Sequence, residues 1–205
     1  MLSNTDFCEY YTMKLSMKYM MLYPERELRC IGQMIDSVKN NSSDLNDHAE
    51  QHFYNTNVGE TDESSASSAA EDLEVYEEFL AEVNQLSCQM AVVSLNVLIE
   101  ITLKKILKEN FGINASEMTF PKIKDAFKCQ GVSLSDIDSF TDIDEVRLVS
   151  NSIKHGGIVS KYLARANGAL YPEVDKDIHL AYLILDQYYS RTRRFLHGLF
   201  TQASV

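Results

Sequence analysis

Ten apolar residues between Glu71 and Asn110 recur at steps of mostly three and four: Leu73, Tyr76, Leu80, Val83, Leu86, Met90, Val93, Val97, Ile101 and Ile106. Only an α-helix returns side chains to one side at that interval, so the chain must accommodate a central helix of about eleven turns. Acidic residues crowd its first turns and Lys104, Lys105 and Lys108 its last, as the helix macrodipole favours, and Gly112 follows as a stop. With only 8 Gly and 3 Pro in 205 residues, the chain has little material for the turns of a β-sandwich. The fold class expected is all-α.

Other helices follow from the same reading. From Asp6 to about Asn40, Phe7, Tyr10, Tyr11, Leu15, Leu28, Ile31, Met34, Ile35 and Val38 recur at helical spacing, interrupted at Pro24. The methionines among them fit either core gaps or an adaptable partner surface. Pro121 and Gly131 bracket a short helix, Asp142 to His155 forms the next, and Asp175 to about Phe200 the last. Short connections imply antiparallel neighbours, giving a helical bundle of about five or six helices. The expected organisation is a helical segment over 1–40 packing on the bundle, an acidic Ser-rich linker or loop over 41–70, and the bundle itself over 71–205.

The net charge of −11 opposes contact with a polyanion at first sight, but it is local. Between Asn40 and Leu103 there are 13 acids and no Lys or Arg, leaving 19 basic against 17 acidic residues elsewhere. A nucleic-acid partner is therefore not excluded. Cys8, Cys30, Cys88 and Cys129 lie far apart without metal-ribbon or redox spacing, which suits a reducing, cytoplasmic setting. Asp6, Glu9, Lys14 and Lys18 break any apolar run at the start, arguing against a signal peptide. Gln89, Asn96 and Glu100 break the most apolar window, which reads as a buried helix and not a membrane span. His48 and His52, four apart among acids, could share a metal on one helix face, yet no third ligand is evident and no metal or cofactor is expected.

The segment with most chemistry is Asp142 to Gly157. At ~100° per residue, Ile143, Val146, Val149 and Ile153 share one side, and Arg147, Asn151, Lys154 and His155 the other. Imidazole moves a proton near neutral pH, guanidinium or ammonium holds a phosphate, and an amide orients either, so this set suits metal-free phosphodiester chemistry. Ordinary capping also explains much of it: acids at the N-terminus, Lys154 and His155 in the last turn, then Gly156-Gly157. Asn151 in mid-helix is what capping leaves over.

The long helix with Val-Leu-Ile-Glu-Ile-Thr-Leu-Lys-Lys at 97–105, the Phe-Pro-Lys-Ile-Lys helix at 120–124, and Glu145-Val-Arg-Leu-Val-Ser-Asn-Ser-Ile-Lys-His155-Gly together resemble the HEPN superfamily over roughly residues 72–200. The resemblance implies an all-helical, commonly homodimeric bundle. Active members are metal-independent endoribonucleases, with an Arg, a polar residue and a His lining the dimer cleft. Many serve bacterial defence or toxin–antitoxin systems, which brings in RNA and an antitoxin or other protein as partners. It places His155 as acid/base, Asn151 as orienter, and Arg147 with Lys154 as phosphate contacts. The family's Arg stands about four to six residues before its His, usually followed directly by the polar residue. Here Ser150 precedes Asn151, and seven residues separate Arg147 from His155. The alternative implied is an inactive module that binds a protein, nucleotide or RNA.

A second basic group, Arg191, Arg193 and Arg194 with Tyr188, Tyr189 and Phe195, has the composition of a single-strand binding surface, and equally of a helix end. No G-x-x-x-x-G-K, G-x-S-x-G or H-E-x-x-H occurs, which removes the commonest NTPase, hydrolase and zinc-protease readings.

Overall fold

From Asn41 to Asn57, and again from Glu63 to Phe111, the sequence contains neither Gly nor Pro, the two residues that most strongly break a helix. In the computed structural model, which describes residues 23–57, 63–180 and 182–203, helix runs through both stretches. Helix α1 spans Glu25–Asn57 and α2 spans Glu63–Phe111. The linker expected over 41–70 is therefore corrected: only 58–62 of it lie outside the described helices. Its Ser and Asn content lowers helix propensity by tenths of a kcal/mol per residue, too little to end a helix without a breaker. The side chains of His48 and His52, like residues 1–22, lie outside the described residues.

Four more helices follow: α3 (Phe120–Cys129), α4 (Phe140–Lys154), α5 (Lys161–Ala166) and α6 (Tyr182–Ala203). The all-α expectation holds, with six α-helices and a 3₁₀ turn at Leu134–Asp136 among the described residues. α2 packs against α1, α3, α4 and α6, and α4 against α5 and α6. The core gathers Leu28 and Ile35 of α1, Leu95, Ile99 and Leu103 of α2, Val146 and Val149 of α4, and Phe195 and Leu199 of α6. Gly32 permits α1 to approach α6 closely, since a Cβ there would stand 2.9 Å from the Tyr189 hydroxyl.

Two elements differ from expectation. The last helix begins at Tyr182, not at Asp175. Asp175 has a left-handed φ of 64°, and residues 157–159 pair with 175–178 through Val159 N–H to Lys176 O (2.7 Å) and Ile178 N–H to Gly157 O (2.7 Å). Those backbone groups find partners outside a helix. On α2, the stripe read as core mostly faces outward: Tyr76, Val83, Leu86, Met90, Val97 and Ile101 are exposed. The buried face is instead Ala91, Val92, Leu95, Leu98, Ile99, Leu103 and Leu107. Ala and Cys fill part of it, so the narrower, larger-residue stripe dominated the pattern.

Behind α4 lies a buried polar network. The Glu145 carboxylate accepts from the Tyr188 hydroxyl at 2.5 Å and from Asn167 Nδ2 at 3.1 Å to each oxygen. Tyr188 spends its single proton on Glu145, so the Tyr171 hydroxyl, 3.1 Å away, donates to Tyr188. Burial first, then neighbouring Tyr171 and Glu145, drives Tyr188 far above the ordinary phenol range; burial likewise raises Tyr171. A tyrosine that keeps its proton when folded favours the native state fully below about pH 10, and that contribution is lost as pH rises further. Urea unfolding from pH 8 to 11 should therefore show stability falling above pH 10 by about 1.4 kcal/mol per pH unit for each such tyrosine. Tyr188→Phe should make that slope shallower, and an unchanged slope would contradict the burial argument.

Candidate functional site at the end of helix α4

The helical wheel separates α4 as the sequence suggested. Ile143, Val146 and Val149 are fully buried and Ile153 is partly buried against the core. On the other side Arg147 and Asn151 are half-buried, and Lys154 and His155 are exposed. The buried half also takes Glu145, Ser150 and Ser152.

The helix stops at His155 in a Schellman arrangement. Gly157 N–H donates to Ser152 O at 3.0 Å and Gly156 N–H to Ile153 O at 3.4 Å, with φ of 75° and 118° at the two glycines. A Cβ built on either glycine would meet nothing within 4 Å, so the backbone beside His155 faces open space. Among the described residues, the side chains of Asn151, Lys154 and His155 have no hydrogen-bond or ion-pair partner. An amide, an ammonium and an imidazole thus stand at one accessible helix end.

Arg147 is placed differently. Its Nε and Nη2 lie 2.9 and 2.8 Å from one oxygen of Asp144, three residues back, and its guanidinium covers the Phe120 ring at 5.1 Å. Eight positions at ~1.5 Å put its Cα ~12 Å from that of His155 along the axis, and its side chain turns further away. The structure does not bring Arg147 to the imidazole within one chain. Ser150, the residue directly before Asn151, is wholly buried with its hydroxyl unpaired. No ligand can reach it there.

The second basic group is divided as well. Arg191 pairs with Asp142 of α4, Arg194 lies 3.7 Å from Asp138, and Arg193 stacks over Tyr189 at 6.0 Å. Tyr188 and Phe195 are core residues and cannot stack on a base, so of the expected aromatics only Tyr189 remains partly accessible. An open cavity of about 370 Å³ is bounded by Val159, Tyr171, Glu173, Lys176, Asp177 and His179, and does not include His155. Among the described residues no group of three or more His, Cys, Asp or Glu could hold a metal ion.

Sequence reading missed Glu145 and its partners. The signal was present: at ~100° per residue Glu145 falls about 40° from Val149, on the edge of the apolar side, where a carboxylate requires donors. Those donors, Asn167 at the α5 terminus and Tyr188 of α6, are distant in sequence, and no local pattern marks them. Comparison with known proteins finds no matching family model, no matching curated protein and no matching solved structure. Among the described residues one helical segment, Glu74–Phe111 within α2, is long and apolar enough to cross a membrane, with half of its most apolar stretch buried in the fold.

Proposed function

We propose that this chain is an HEPN-like, cytoplasmic homodimer of a bacterial defence or toxin–antitoxin type that acts on RNA at the C-terminal end of α4. The observation that supports it is the pairing of the unpartnered, exposed His155 imidazole with exposed Lys154 beside an open Gly-Gly backbone. Metal-free cleavage needs a base to take the 2′-hydroxyl proton and an acid to protonate the departing 5′-oxygen. His155 supplies a group able to do either. Lys154 offers positive charge to the phosphate, and Asn151, one turn before His155, offers an amide to orient it. Arg191, Arg193 and Arg194 stand toward the opposite, N-terminal end of α4, where Arg191 meets Asp142 and Arg194 faces Asp138, and would meet only a longer strand.

A second reading, an inactive module that binds RNA, a nucleotide or an antitoxin-like protein without cleaving, is favoured by one specific observation: Arg147 is committed to Asp144 and Phe120. Incubation of single-stranded RNA with purified protein in excess chelator separates the two. Cleavage ending in 2′,3′-cyclic phosphates supports the nuclease; retention of intact RNA supports the module; neither cleavage nor retention counts against an RNA partner.

A further inference from the structure

We infer that the outward face of α2 joins two copies of this chain as an antiparallel helix pair about a two-fold axis near residue 88. This rests on the homodimer part of the reading above and not on its chemistry. Along α2, the side chains from Val75 to Ile101 form one apolar stripe; except for the half-exposed Val93, each is between 41% and 67% exposed. Val75, Leu86 and Val97 are eleven apart in turn, as are Phe79, Met90 and Ile101. An eleven-residue period keeps close to the helix's own turn, so the stripe runs nearly straight for ~39 Å. With about half of each side chain uncovered, it presents on the order of 800 Å² per protomer, one partner's share of a standard interface and more than a monomer ordinarily exposes.

The stripe is a palindrome, and that identifies the occupant. Turning a second α2 end for end about residue 88 sets Val75 against Ile101, Phe79 against Val97, Val83 against Val93 and Leu86 against Met90. Eight of the nine apolar positions pair with one another, and Tyr76 falls opposite Glu100. Charge selects the same direction: the half with Glu71, Glu74, Glu77 and Glu78 lies along the partner half with Lys104, Lys105 and Lys108. Parallel pairing would lay acids on acids. A lipid surface requires no such symmetry.

Analytical ultracentrifugation of the full chain should give twice the 23.3 kDa chain mass. Leu86→Glu and Met90→Glu, both at exposed positions, should raise the dimer dissociation constant by about 100-fold while leaving the helical circular dichroism unchanged. With Cys8, Cys30 and Cys129 replaced by Ser, a mixture of Val75→Cys and Ile101→Cys chains should form a disulfide-linked mixed pair on mild oxidation, and neither variant alone should. A monomer at all concentrations, a dimer indifferent to both Glu variants, or self-linked Val75→Cys without the mixed pair would overturn the inference. So would a monomer captured by phosphatidylcholine vesicles through this face. Mass and cross-linking are read without RNA, so failure here leaves the nuclease question standing on its own.

Discussion

His155→Ala is expected to reduce metal-free RNA cleavage by about 10²- to 10⁴-fold, the range that a positioned proton-transfer group contributes. The imidazole stands exposed at the end of α4, without a side-chain partner among the described residues, so its removal costs no internal contact. Thermal midpoint and helical content should stay those of the wild type. The useful contrast is Arg147→Ala. That guanidinium is held by Asp144 and Phe120, so its loss removes a partly exposed ion pair and a ring contact, worth about 1 kcal/mol together. Cleavage should then fall far less than with His155→Ala. Equal activity in His155→Ala and wild type, with the fold intact, would reject the assignment of this side chain.

Glu145→Ala should produce the largest loss of stability of any single change at this site, about 3–4 kcal/mol, seen as a midpoint lowered by about 10 °C. The substitution strands the Tyr188 hydroxyl and the Asn167 amide, which both donate to this carboxylate, and leaves the Tyr171–Tyr188 hydrogen bond without its terminal acceptor. Water cannot easily replace it, because Tyr171 and Tyr188 are both buried. Glu145→Gln retains an oxygen for Tyr188 and should cost about half as much. The network ties α4 to the end of α5, the loop after it and α6, so Glu145→Ala should also loosen the seat from which Asn151, Lys154 and His155 project. A midpoint unchanged in Glu145→Ala would show that the network does not secure α4.

The sequence disclosed a good deal of this, for definable reasons. α4 carries enough contrast between its two sides that helical angle alone placed Val146 and Val149 inward and Lys154 and His155 outward. α2 lacks that contrast. Large apolar residues lie on both of its faces, and periodicity selected Val83, Leu86, Met90 and Ile101 as core when Ala91, Val92 and Leu95 are buried. The expected linker failed because Ser- and Asp-rich composition does not end a helix where, as over 41–57 and 63–70, no Gly or Pro interrupts it. α6 starts late because the segment ahead of it pairs with residues 157–159, a tertiary event without local trace. The stacking role sketched for Tyr188 and Phe195 fails because both belong to the face that α6 buries. Arg147's distance from His155 was legible by counting; its capture by Asp144 and Phe120 was not.

In the function proposed above, RNA meets the protein at the open end of α4. The most direct measurement is a nuclear magnetic resonance titration of the isotope-labelled chain with a short, uncleavable 2′-O-methyl oligoribonucleotide. The His155 ring signals and the Lys154, His155, Gly156 and Gly157 amides should shift first and saturate together, with weaker changes along Arg191 to Arg194. If those four residues stay unperturbed at saturating oligonucleotide while shifts gather elsewhere or nowhere, the claim is wrong.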